Sequence, residues 1–192
     1  MRHFHFDTVA EIRQAAADVG ARHLGFLDDP QAIRAALAQK PIVAGAAVGN
    51  AIAIHPMEGC DGDADGRPSE LTWRRYERFA RGGAKLIWFE ATAVCREGRA
   101  NPRQLWIHSG SVAEIARLVR MVHRTHRESS GDDSDLLMPV QLTHSGRFSW
   151  PNRIIAVHNP VVDSKTGTPA DLPAISDGEL ERLEDEFVEA AQ

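Results

Sequence analysis

Three short apolar segments constrain this chain more than any other feature. They are Asn50–His55 (NAIAIH), Ala84–Glu90 (AKLIWFE) and Leu136–Leu142 (LLMPVQL), and each breaks off into polar or turn-forming residues. Their near-continuous apolar character fits strands covered on both faces, which is the signature of a parallel sheet. Amphipathic helices alternate with them. Thr72–Arg81 places Trp73, Tyr76, Phe79 and Ala80 on one face and stops at Gly82-Gly83. Ser111 and Glu114 have capping-box spacing ahead of Ile115, Leu118, Val119 and Val122, a pattern that reaches about His126. Ser176 and Glu179 open a last helix with Leu180, Leu183 and Phe187 inward. Strand and helix in alternation predict an α/β fold with parallel strands.

The first forty residues read as a helical extension. Thr8 and Glu11 would start one helix with the stripe Val9, Ile12, Ala16 and Val19, and Asp29-Pro30 a second that runs to about Gln39. His3 and His5 flank Phe4 at the terminus. Gly45 and Gly49 punctuate a β-hairpin leading into the first strand. The proline-rich stretch Phe148–Ile175 is expected to be a long irregular loop, with Ile154–Val157 as a short strand inside it.

Length and charge narrow the class. The chain has 192 residues, a net charge of -5 and two cysteines. That excludes a basic nucleic-acid footprint and a disulfide framework. No apolar run approaches the roughly 20 residues that span a bilayer. The start lacks a signal-peptide core, so a soluble protein of the cytoplasm is expected. The strand starts, near 50, 84 and 136, allow about three βα units. A closed (β/α)₈ barrel takes about 250 residues. The sequence therefore predicts either a small open sheet or the front part of a larger barrel.

In parallel α/β folds ligands bind at the carboxyl ends of the strands. Here those ends read Pro56-Met57-Glu58, Glu90-Ala91-Thr92-Ala93 and Gln141-Leu142-Thr143-His144-Ser145-Gly146-Arg147. Three polar strand ends in one sheet point to a shared site.

These same residues carry a family resemblance. Asn50-Ala51-Ile52-Ala53-Ile54-His55-Pro56-Met57 resembles the N-R-I-x-x-x-P-M first strand of the Old Yellow Enzyme family of FMN-dependent NAD(P)H oxidoreductases. Asp65–Glu70 with Tyr76, Phe79 and Gly82-Gly83 resembles its first crossover. Ile87–Val94 resembles its I-x-x-E-A-T-A-V second strand, and Gln141–Arg147 its Q-L-x-H-x-G-R third. Phe187 with Ala190-Ala191 resembles the helix before its fourth. The resemblance runs from about 42 to 192.

It implies the N-terminal portion of a TIM (β/α)₈ barrel, about three strands and their helices, behind the short helices and hairpin. Residues 1–40 would be the extension and 41–192 a partial FMN-binding domain that stops before the fourth strand. It implies FMN as cofactor, NAD(P)H as reductant and an electron-poor alkene or related small molecule as acceptor. Pro56 and Met57 would lie beside the isoalloxazine ring, Glu58 would face its C4 oxygen and N5 edge, Ala91 would give close access, and Gln141 would bond the pyrimidine edge. An amide suits that edge, since it both donates and accepts. His144 and Arg147 would brace the site. Catalytic residues stay unassigned: the family's substrate-binding His pair lies on the fourth strand, its proton-donating Tyr just beyond, and its phosphate loops after strands seven and eight. Glu58 also departs from the family's Thr, Cys or Ala.

Other readings stay open. The chain could be a half-barrel module that needs a complementing C-terminal half or a homo-oligomer, without activity alone. Asp61-Gly62-Asp63-Ala64-Asp65-Gly66 matches the start of a calcium loop, although Thr72 stands where the loop's last ligand belongs. His123 and His126 have metal-ligand spacing and no third ligand. His158-Asn159 are adjacent and are not promoted to a substrate pair. Cys60, near the site, reads as a small, semi-buried thiol or as a redox-sensitive one, and His55 as either a buried strand residue or a site residue.

Overall fold

The computed structural model describes residues 5–21 and 23–192; His3 and Phe4 lie outside them. The element order is α1 (Val9–Asp18), α2 (Pro30–Leu37), β1 (Ile42–Val43), β2 (Ala46–Ala47), β3 (Ala53–Ile54), α3 (Glu70–Arg81), β4 (Leu86–Ile87), β5 (Phe89–Ala93), α4 (Val112–Ser130), β6 (Val140–Thr143), α5 (Pro160–Thr166) and α6 (Asp177–Ala190). The fold is α/β. β1 and β2 form the expected antiparallel hairpin. β3 pairs with β4 and β5 with β6, both parallel, and a Leu86–Leu137 bridge joins the two pairs. The chain thus lays three parallel strands side by side in sequence order, one from each apolar segment. The sheets are short and form no closed barrel among the described residues.

Packing explains why α3 and α4 form. Tyr76 and Ala80 of α3 meet Ile115, Leu118 and Val122 of α4 over Ile87, Phe89, Leu105 and Leu136. The Tyr76 ring stacks on Phe89 with centroids 4.7 Å apart. Ser69 and Thr72 close a capping box at the start of α3, and Gly83 turns its exit through a φ of +78°. Ser176 and Glu179 close the expected capping box of α6.

Several expectations change. Only the middle segment is well buried; β3 and β6 are largely exposed, because among the described residues each has a strand neighbour on one side only. The middle segment is itself interrupted: Trp88 is 41% exposed between β4 and β5. The stripe on α1 does not reach the core, and Val19 is 80% exposed. Leu180 on α6 is exposed too. Ser111 does not cap α4 with its side chain; its hydroxyl donates to the Trp106 carbonyl instead, at 2.7 Å. The long loop contains α5, capped by Asn159, and the Ile154–Val157 run makes just one bridge, Ile155 to Ala174. No helix among the described residues is long and apolar enough to cross a membrane.

Candidate functional site

The three strand ends meet through the backbone and one β-bulge. At the end of β3 the Pro56 carbonyl accepts the Ala91 N–H at 3.4 Å. Between the pairs Phe89–Val140 and Thr92–Leu142 the register slips, so Glu90 and Ala91 stand opposite the single residue Gln141. Such a bulge re-aims side chains where pairing stops. Pro56, Ala91 and Gln141 therefore occupy one row across three strands. Met57 is 75% exposed beside them, and Ala91 is buried. Gln141 is exposed, and its amide makes no hydrogen bond among the described residues.

Gln104 holds this row and was not anticipated. Its buried amide nitrogen donates to Glu58 Oε1 at 3.2 Å and to the Ala91 carbonyl at 3.1 Å. Its Oε1 accepts the Ala100 N–H at 2.6 Å. It ties the first strand end to the second from within the loop between β5 and α4. The sequence carries no signal for it, since that loop has no periodicity.

A charged network lies behind the row. Arg75 on α3 donates to both oxygens of Asp61, at 2.9 Å each, and to Glu90 Oε1 at 2.6 Å. The other Glu90 oxygen accepts the Gly59 N–H at 2.9 Å, while the Glu90 N–H donates to the Tyr76 hydroxyl. Glu90 is 1% exposed, so Arg75 is its essential counter-charge. Burial opposes ionisation of Asp61, but donation from Arg75 and Thr72 outweighs it and holds the carboxyl below its ordinary range. Glu58 behaves oppositely: burial, then repulsion from Glu90, raises its pKa.

The other candidates sort clearly. The calcium reading fails on the donor set, because Asp61 is committed to Arg75 and Thr72, and Asp63 Oδ1 accepts the Asp65 and Arg67 amides. No group of three metal-ligating side chains occurs among the described residues. His123 faces Asp133 at 3.0 Å, whereas His126 is buried with its Nδ1 on the Ala80 carbonyl, so the two do not converge. Cys60 is exposed rather than semi-buried, and His55 is exposed as well. His144 takes the Gly146 N–H on Nδ1, and burial lowers its pKa. Arg147 points away from the row, to Asp163 and the Val157 carbonyl. The Glu97-, Trp106- and Ala190-lined cavity of about 470 Å³ near the end of β5 contains none of the five predicted cofactor residues.

The donor set fits part of FMN. The free amide of Gln141 matches a pyrimidine edge, and Met57 offers apolar surface to a ring. The five residues contain no cation for the phosphate.

This arrangement, polar strand ends on sequential parallel strands, is that of a parallel α/β fold, and the comparisons agree on the fold. Structural neighbours are Old Yellow Enzyme homologues. The Old Yellow Enzyme homologue of Zymomonas mobilis matches with a TM-score of 0.61 at 22% identity, over 81% of this chain and 44% of that one. Morphinone reductase matches with a TM-score of 0.63 at 20% identity, again over 81% and 44%. At this identity the likeness is one of fold. In sequence, an NADPH dehydrogenase of Halalkalibacterium halodurans is 31% identical over 129 residues, which is 67% of this chain and 36% of that protein. The chain thus spans about a third of that relative's length and less than half of these two structures. No family model matches.

Proposed function

We propose that the chain supplies the first three strands of an Old Yellow Enzyme-type (β/α)₈ barrel, with residues 1–40 as an extension and 41–192 as part of an FMN-binding domain. The observation that carries this is the row Pro56–Ala91–Gln141, joined by a backbone bond and a bulge. Gln141 would hold the pyrimidine edge of the flavin, the Pro56-Met57 backbone and Ala91 would line its ring, and Glu58 would face the N5 edge. Bound there, FMN supplies hydride transfer, from NAD(P)H to an electron-poor alkene or related small acceptor. The chain's own part is to bind and orient. Gln104 fixes Glu58 and the Ala91 backbone, and Arg75 neutralises the buried carboxylate behind them.

The open edges of β3 and β6 and the exposed Ile52, Trp88 and Val140 support a covering partner, either the remaining strands of a barrel or another copy. Titration of FMN into the chain tests this, followed by visible absorbance and flavin fluorescence. The chain alone is expected to bind FMN weakly and to show no turnover. Adding a polypeptide that carries the remaining strands is expected to raise uptake toward one equivalent. Full-equivalent uptake by the chain alone, or no gain on complementation, would refute the proposal.

A further inference from the structure

The outer side of α3 and α4 carries a charge pattern that the strand-end row does not use. The two helices hold eight arginines and four carboxylates, whereas α6 holds seven carboxylates and one arginine. Such segregation within one chain puts opposite potentials on separate surfaces.

A groove of about 470 Å³ runs between α3 and α4. Trp73 and Met121 supply its apolar lining, and Arg74 and Arg124 its positive charge. Glu70 and Glu77 line it too, but Glu77 is taken by Arg81 at 2.6 Å. Arg78 lies one turn beyond Arg74, and Arg120 one turn before Arg124, so each continues the positive strip along its helix. Arg74, Arg78 and Arg120 are exposed and in no ion pair among the described residues, and Arg124 reaches Glu128 only at 3.9 Å.

α6 presents the matching face. Leu180, Glu181, Glu184 and Val188 share one side of the helix, and all four are exposed. Glu181 and Glu184 are in no ion pair among the described residues. An amphipathic helix that lies in a groove uses such spacing. At about 1.5 Å per residue α6 is about 21 Å long, against about 18 Å for α3. The helix does not reach the groove of its own chain. Its other side, Leu183 and Glu186, sits against Cys95 and His144 past the ends of β5 and β6. Ala190 shares a cavity with Val112 at the start of α4, and Met121 and Arg124 lie about 14–18 Å farther along that helix. The occupant of the groove therefore comes from another molecule, and a second copy carries the complement in charge, length and apolar residues.

We propose that the α3–α4 groove docks α6 of a second copy of this chain, with Leu180 and Val188 against Trp73 and Met121, and Glu181 and Glu184 against Arg74 and Arg124. Pairs of exposed charges add little affinity but select the partner and its register. The contact is distinct from the open sheet edges and uses none of the strand-end residues.

Sedimentation velocity of the full chain at increasing protein concentration tests it. Association is expected at low ionic strength, and to weaken about tenfold as salt rises from about 0.02 M to about 0.5 M. Arg74→Glu with Arg124→Glu, and separately Glu181→Lys with Glu184→Lys, are each expected to give a monomer with the wild-type circular dichroism spectrum. Mixing the two charge-reversed proteins is expected to restore association, because every contact then pairs opposite charges. A monomer at every concentration and salt would overturn the proposal and leave the groove to an acidic helix of another protein. Association that the reversals do not change would overturn it in favour of pairing through the sheet edges. Reversed proteins that fail to associate when mixed would overturn it as well.

Discussion

Replacing Arg75 by Met tests the network on which the strand-end row rests. The guanidinium makes three charge-assisted bonds, two to Asp61 and one to Glu90. Methionine keeps much of the apolar stem and removes all three. Asp61 retains the Thr72 hydroxyl at 2.8 Å, but Glu90 is left 1% exposed with only the Gly59 amide on its carboxylate. Breaking a buried pair by removing one partner costs about 3–5 kcal/mol, a large part of a typical domain's 5–15 kcal/mol. Glu90→Gln keeps an acceptor for Gly59 and loses only the charge, so about 1–3 kcal/mol is expected. The double variant should be more stable than the sum of the two, with a coupling of about 1–3 kcal/mol. Urea denaturation of the four proteins near neutral pH, followed by circular dichroism, measures each value. The pH dependence adds a second signature. The native carboxyl of Asp61 titrates below its unfolded value, so its stabilisation is complete above that value and is lost as pH falls through the native one. Arg75→Met should flatten this acid limb. A cost below about 1 kcal/mol, or strict additivity with Glu90→Gln, would refute the account.

Gln104→Leu should cost about 1–3 kcal/mol by denaturation, because it strips partners from Glu58, the Ala91 carbonyl and the Ala100 amide at once. Glu58→Gln should abolish a pH effect: the native carboxyl titrates high, so wild-type stability falls as pH rises from the unfolded value through the native one, and stability measured across that window should lose this slope in the variant. Gly66→Ala should destabilise by about 1–3 kcal/mol in the same assay, since φ is +75° and the new Cβ would stand 2.8 Å from the Trp106 backbone nitrogen. A thiol reagent should modify exposed Cys60 well before Cys95, whose pKa is pushed up to about 11 by burial and by Glu97.

How far the sequence was readable depended on whether a signal was local. α3 and α6 followed from caps and periodicity, because both are set within a few residues. The burial of β3 and β6 did not, because an apolar run records what a strand can pack against, not whether a neighbour is there. Asn50–His55 and Ala84–Glu90 look alike in sequence, yet only the second lies between two strands. The same limit explains the Asp61–Gly66 loop. Its spacing suits a cation, but the carboxylate at its head is taken by Arg75, fourteen residues away on α3. The positions of Pro56, Ala91 and Gln141 at strand ends were legible from where apolar runs stop. The bulge that sets two residues against Gln141, and the amide of Gln104 that binds two strand ends, were not.

That division bears on how the site works. The residues visible in the sequence are those that would touch a ring, and the residues that fix their positions come from elements distant in the chain. Glu58 shows the consequence. In isolation it is a surface acid after a strand; in the fold it shares a half-buried strand end with Glu90, and Arg75 compensates only the latter. A carboxyl without a counter-charge disfavours further negative charge beside it, so its protonation should favour the folded row.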